Sequence, residues 1–190
     1  MRKSLKVTFV ALGWEQLGVS LLSAIAKSHG YQVNLAFSVS LLNDRYNLSI
    51  PELAPFFDDR NDVIKTIEKQ QPDVLAFSAL TGTYQWMLGI AKDARQMFPH
   101  IKIIFGGVHA SAVPDRVLSQ SQVDYVVVGE GDIAFPLILK AIEDGGATQP
   151  IPNTRYKTCH GQIVKGPQTG FIQHLDTLPM FDKTIWEDHI

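Results

Sequence analysis

Four short stretches of this chain set glycines beside small hydroxyls or single polar residues at points where apolar runs give way to a new periodicity. They are Gly13-Trp14-Glu15-Gln16-Leu17-Gly18, Ser78-Ala79-Leu80-Thr81-Gly82-Thr83, Gly106-Gly107-Val108-His109 and Gly129-Glu130-Gly131-Asp132. Glycine lets a backbone come close to a ligand and reach torsions closed to other residues. One such turn is ordinary where strands alternate with helices; four in one chain point to a ligand held against main chain. Familiar phosphate loops do not account for them. A dinucleotide fingerprint needs G-x-G-x-x-G and a P-loop needs a lysine after its second glycine, and neither pattern occurs. A phospho-acceptor receiver would carry a carboxylate pair after its first strand and an aspartate at the end of its third, where this chain has Leu12-Gly13 and Ser78. A flavin mononucleotide loop is rich in Ser and Thr, and residues 13–18 contain neither.

The elements that must position these turns follow from periodicity. Val7, Phe9, Val10 and Leu12 form an apolar run that breaks at Gly13, after which Leu17, Leu21 and Ile25, flanked by Leu22, recur as one helix face requires. Gly30 sits where a helix C-cap belongs, and 31–37 reads as a second strand. Val63, Ile64 and Ile67 mark a short helix before Pro72; 73–78 is a nearly all-apolar strand of the kind covered on both faces. Met87, Ile90, Ala91, Ala94 and Phe98 trace the next helix, 101–105 a fourth strand, and Pro114 the first turn of the helix after it. A fifth strand, 123–128, leads to a helix through Ile133, Leu137, Ile138, Ala141 and Ile142, with Pro136 in its first turns and Gly145-Gly146 as its stop.

Five strands alternating with helices predict an α/β domain, a flavodoxin-like (Rossmann-like) doubly wound five-stranded parallel sheet of order 2-1-3-4-5 over residues 1–147. In that order the switch point falls between strands one and three, beside the turns at Gly13 and Ser78, on the edge where such sheets hold ligands. Two regions stand outside the pattern. Residues 38–60, with Tyr46, Pro51, Pro55, Phe56 and Phe57, are long for a loop and are expected either to be a surface excursion or to form a flap over the same edge. Residues 148–190 read as a small hairpin around His160-Gly161, then a linker through Leu175-Asp176-Thr177-Leu178-Pro179 into an aromatic, poorly periodic tail.

Composition narrows the partners. In 190 residues with 45% hydrophobic content, one core is expected rather than two. A formal charge of -2 supplies no basic field for nucleic acid. Cys159 is the single cysteine, so neither an internal disulfide nor a cysteine-based metal cage can form, which fits a reduced, cytoplasmic setting. No stretch approaches the ~20 apolar residues of a membrane span, so no membrane partner is expected.

The turn set resembles the cobalamin-binding domain family. There a D-x-H-x-x-G loop follows strand one, S-x-L ends strand three and G-G ends strand four. Ser78-Ala79-Leu80 with Thr81 matches the second and Gly106-Gly107 the third, whereas residues 13–18 keep only Gly18 of the first. In that family the histidine is the lower cobalt ligand and the aspartate orients it. The resemblance therefore implies a corrinoid held without a lower-ligand histidine, its lower face left to water, to nothing, or to Trp14, Glu15 or Gln16 as neighbours, with Ser78, Leu80, Thr81, Gly106 and Gly107 lining a channel for the nucleotide tail and Gly82 also among the cofactor-binding residues.

Gly106-Gly107-Val108-His109, Pro114, the 123–132 stretch with Gly129-Glu130-Gly131, and Leu175–Pro179 together look like the N-terminal part of cobalamin-dependent radical S-adenosylmethionine enzymes, which commonly lack that histidine. This implies a missing C-terminal radical domain as partner, with S-adenosylmethionine and a 4Fe-4S cluster confined to it, because Cys159 alone cannot hold a cluster. Methyl transfer, ring contraction or cyclisation would be the whole enzyme's chemistry, and no residue here is catalytic. His109 is expected either to contact the cofactor tail or to face water. Trp14 would stack under the corrin or cover the core edge, and Glu130 would accept hydrogen bonds from corrin amides or cap the next helix. From a different class, the runner-up is a flavodoxin-like interaction or regulatory domain with no bound corrin.

Overall fold

Alternation along β1 (Lys6–Leu12) sets the two faces of the sheet: Val7, Phe9 and Ala11 enter one apolar cluster and Val10 the other. The computed structural model describes residues 4–39, 43, 44, 48, 49 and 59–189. β2 (Gln32–Ser38), β5 (Val74–Ser78), β6 (Lys102–Gly106) and β7 (Tyr125–Val127) join β1 in a parallel array of order β2-β1-β5-β6-β7. This is the expected 2-1-3-4-5 topology. Between β2 and β5, β3 (Asn43–Asp44) and β4 (Leu48–Ser49) form a separate antiparallel pair. The flap expected over 38–60 otherwise lies outside the described residues, as do Tyr46, Pro51, Pro55, Phe56 and Phe57.

Helices cover both faces. α1 (Leu17–Ser28) and α6 (Ala134–Glu143) pack on the Phe9 side, through Val19, Ala26, Phe135 and Ile138. α2 (Arg60–Gln70), α3 (Tyr84–Met97), α4 (Gly107–Ala112) and α5 (Pro114–Leu118) pack on the Val10 side. The single helix expected after the fourth strand is two short ones: α4 starts at once at Gly107, and α5 restarts with Pro114 in its first turn. A proline lacks the N–H an unbroken helix would need there.

The apolar stripe expected on α1 is turned. Its buried positions are Val19, Ser20, Ser23, Ile25 and Ala26, while Leu17 is exposed and Leu21 and Leu22 are half-buried toward the ligand edge. On α6, likewise, Ile133 and Leu137 face outward, and Phe135, Ile138 and Leu139 are buried.

The C-terminal hairpin, β8 (Thr154–Lys157) and β9 (Ile163–Lys165), pairs antiparallel onto β7 and extends the sheet to seven strands. The tail beyond it returns to α1. Trp186 is 2% exposed, meets Phe37 edge-on with ring centroids 5.7 Å apart, and donates from Nε1 to Ser20 Oγ at 2.8 Å. The Asp182 N–H donates to Ser20 O at 3.0 Å, and the Asp182 carboxylate receives Ser23 Oγ and pairs with Lys27 at 2.6 Å. Two serines on the buried face of α1 thus find their partners in the tail. Burial of Trp186 contributes on the order of 3 kcal/mol.

Candidate functional site

Each candidate turn is placed by a strand end on the C-terminal edge of the sheet. Gly13 takes a left-handed φ of +88° and donates its N–H to Ser38 O at 2.8 Å, tying the loop after β1 to β2. The turns after β5 and β6 are laced together: Ala79 N–H donates to Gly106 O at 2.9 Å and His109 N–H to Ala79 O at 3.0 Å. Gly107, at φ +87°, is demanded by this lacing, because a Cβ there would stand 2.8 Å from Ala79 N and 2.9 Å from Ala79 O. Gly129 N–H donates to Ser111 Oγ at 2.9 Å, anchoring the turn after β7 to α4.

Between these turns and α1 lies a cavity of about 150 Å³. Gly18, Ser78, Gly106, Gly107, Gly129, Glu130 and Gly131 line it, so all four candidate turns meet there. Asp132, the last residue of the fourth turn, also lines it, and the remaining wall is Phe9, Leu21, Leu22, Ala76, Phe77, Val127 and Phe135, which the turn sequences do not contain. The signal was there in Leu21 and Leu22, whose period fits burial but whose partner is the cavity. Gly106 is extended (φ -132°, ψ -165°), and a Cβ on it would come no nearer than 3.7 Å, to Val127 Cβ. Gly18 has nothing within 4 Å of its Cβ position. Both glycines therefore leave room, whereas Gly107 serves the backbone.

The other candidates are not part of the cavity wall. Trp14, Leu17, Leu80 and Val108 are 43%, 59%, 40% and 68% exposed, a set of large apolar side chains on the turns after β1, β5 and β6. Thr81 and Gly82 are exposed on the same edge, Leu12 and Gln16 are half-buried, and Glu15 forms an ion pair with Lys183 of the tail. His109 belongs to the opposite face: its ring stacks on Tyr84 at 4.2 Å, and its Nδ1 lies 3.3 Å from Thr81 Oγ1. Burial, with the Arg116 charge adding to it, holds the His109 pKa below its ordinary value. Its Nε2 and the Tyr84 hydroxyl are buried and find no hydrogen-bond partner among the described residues.

Charge inside the cavity is of one sign. Burial pushes the Asp132 carboxyl up and the Glu130 charge adds to the effect, against a smaller opposing pull from a backbone hydrogen bond. Among the described residues no group of three or more His, Cys, Asp or Glu is placed to hold a metal ion, and no helix is long and apolar enough to cross a membrane. A second depression, of about 560 Å³, lies on the outer surface among His29, Tyr31, Ile133, Leu137 and Lys140 and involves none of the four turns.

Comparison with known proteins gives this geometry a setting. The family model described as "B12 binding domain" matches residues 7–139. An uncharacterized methyltransferase of Pyrococcus horikoshii is 24% identical over 162 residues, covering 85% of this chain and 35% of that protein. The anaerobic magnesium-protoporphyrin IX monomethyl ester cyclase of Rubrivivax gelatinosus is 23% identical over 186 residues, covering 95% of this chain and 31% of the cyclase. Among solved structures, the cobalamin-dependent S-adenosylmethionine radical enzyme OxsB with aqua-cobalamin bound superposes with a TM-score of 0.71 at 16% identity, over 95% of this chain and 24% of the enzyme. The chain thus spans about a third of the length of the curated relatives it matches.

Proposed function

Since the chain belongs to the B12-binding domain family, we propose that it is the cobalamin-holding module of a cobalamin-dependent radical S-adenosylmethionine enzyme, and that it holds the cofactor without a histidine beneath the cobalt. The observation that carries this reading is the cavity where all four slim turns converge, on a sheet edge whose turns also expose Trp14, Leu17, Leu80 and Val108. The cavity is too small for a corrin and of a scale for a flat heterocycle, so the cofactor's nucleotide tail would enter it while the macrocycle rests on those apolar side chains. Exposed apolar groups on one edge favour such a planar partner, whose burial removes them from water.

Bound cobalamin supplies a cobalt centre able to carry a methyl group or change oxidation state. The protein's own part is to bind and orient. Gly18 and Gly106 keep the slot open, Ser78 offers a small hydroxyl on its wall, and Gly107 fixes the relative height of the two turns. Residues 13–18 contain no histidine, and His109 is engaged with Tyr84 and Thr81 on the other face of the sheet. Both facts support a lower cobalt face without an imidazole. The likeness to a methyltransferase, a cyclase and OxsB supports a partner domain that carries S-adenosylmethionine and a 4Fe-4S cluster, acting on the cobalt's upper face.

The test is direct. Purified protein mixed with hydroxocobalamin and desalted should retain a corrin band in its visible spectrum, in the form seen when no imidazole is bound. Ser78→Trp, which fills the cavity, should abolish retention. Loss of the band from wild-type protein that is folded by circular dichroism overturns the reading, and equal retention by Ser78→Trp overturns the placement of the tail.

A further inference from the structure

Among the described residues, the proposed tail cavity is lined by carboxylates and by no cation: Glu130 and Asp132 line it, and no described Lys, Arg or His joins them. Gly131 passes so near α1 that a Cβ there would stand 3.2 Å from Leu22 Cδ2, and this close pass sets the neighbouring Asp132 at the wall of the slot. The other groups lining the cavity with Asp132 and Glu130 are apolar or neutral, among them Leu21 and Leu22 with Gly18 from α1, Phe135 from α6, Ser78 and the Gly106-Gly107 pair from the turns after β5 and β6. Among the described residues, Glu130 is the charge bearing on Asp132.

Beside apolar groups and a second carboxylate, the charged form of a half-buried carboxyl is disfavoured relative to water, and its protonated form is a donor that needs an acceptor. The diester of a nucleotide tail is anionic and cannot serve next to Glu130. A neutral azole can, because once its ring nitrogen leaves the cobalt it presents an unused lone pair in the plane of a flat ring.

We propose that Asp132 reads the lower base of the corrinoid: its carboxyl shares one proton with the free ring nitrogen of a benzimidazole- or purine-type base, so that the chain prefers corrinoids carrying such a base over those with a phenolic base or none. This rests on the cavity receiving the cofactor's tail and adds the feature by which one tail is chosen over another. No bond between heavy atoms changes; the pair shares one proton, which either partner can bring. The pair needs that proton, so affinity for a nitrogenous corrinoid falls as rising pH removes it. Burial and the Glu130 charge raise the pKa of Asp132, which keeps a proton in place to higher pH than on an exposed aspartate.

The test titrates hydroxocobalamin and cobinamide, which lacks the nucleotide base, into the full chain, comparing wild type with Asp132→Asn and Asp132→Leu across a pH series, with circular dichroism as the control for folding. Asp132→Leu should weaken cobalamin about tenfold, the scale of one hydrogen bond, and leave cobinamide unchanged. An asparagine N–H can donate to the same ring nitrogen without titrating, so Asp132→Asn should restore cobalamin affinity and abolish its pH dependence. Equal cobalamin affinity in wild type and Asp132→Leu, or a parallel loss of cobinamide, overturns the role of Asp132 while cobalamin retention stands. Failure of wild type to bind either corrinoid overturns the functional reading beneath it.

Discussion

At its ligand edge the sheet has one open face and one closed face, built from adjacent residues of the same strands. On the α2–α5 side the Phe77 and Phe105 rings stack at 4.6 Å, Tyr84 meets Phe105 edge-on at 5.9 Å, and His109 stacks on Tyr84 at 4.2 Å. On the α1/α6 side, one residue further along each strand, Ser78 and Gly106 open onto the cavity. Side chains alternate across a strand, so neighbours in sequence can be assigned to opposite tasks. Rings on one face hold the strand ends rigid, and their small successors on the other leave room for a guest. Slim turns alone would collapse or wander without the aromatic column behind them.

The contrast between Gly107, which serves the closed lacing, and Gly106, which serves the open face, is the sharpest way to break this picture. Gly107→Ala combines a left-handed φ with contacts below 3 Å to Ala79 backbone, and chemical denaturation should show a loss of about 3 kcal/mol. Gly106→Leu meets no such obstacle but sends its side chain toward the cavity. Its unfolding midpoint should stay near wild type while cobalamin affinity, read by equilibrium dialysis, drops at least about a hundredfold, or ~2.7 kcal/mol. If the two variants behave alike, the division of labour is wrong.

A smaller effect comes from the tail. Burial alone would raise the Asp182 carboxyl, but Lys27, Ser23 and Thr184 together outweigh it and hold the carboxyl below its ordinary range. A group with a depressed folded-state pKa contributes stability that is complete above the unfolded-state value and is lost as pH falls through the folded-state one. Asp182→Asn should therefore cost about 2 kcal/mol at neutral pH, and its melting temperature should converge on that of wild type as the solution is acidified into and below the carboxylate range. The smallest change is on the closed face. Tyr84 buries a hydroxyl that has no partner among the described residues, so Tyr84→Phe should raise stability by about 1 kcal/mol in a thermal melt and leave corrin retention where it was.

Much of this was legible in the chain because apolar runs of strand length separated by helical periods leave few topologies, and the five parallel strands fall in the expected order. The convergence of Gly18, Ser78, Gly106-Gly107 and Gly129-Glu130-Gly131 was legible for the same reason: strand ends in such a sheet share one edge. What the sequence hid was parity and distance. Nothing in Gly-Gly-Val-His indicates that the histidine ring turns to the face opposite the cavity, because that depends on α4 starting without a preceding turn. Leu21 looked like core since a helix period cannot tell a sheet from a cavity beside it. The docking of the tail escaped notice because it rests on single anchors in a short 3₁₀ turn, Thr184–Trp186, which carry no period, and its partners Ser20 and Ser23 read as polar interruptions of an apolar face.

That docking ties two parts of the molecule to one lever. Helix α1 forms a wall of the cavity through Gly18, Leu21 and Leu22, and through Ser20, Ser23 and Lys27 it is also the mooring of residues 182–186. Lys183 reaches further, to Glu15 in the loop at the cavity's mouth. A displacement applied at the tail is delivered to the wall and lip of the slot together, so the grip on a guest and the position of the tail cannot be set independently.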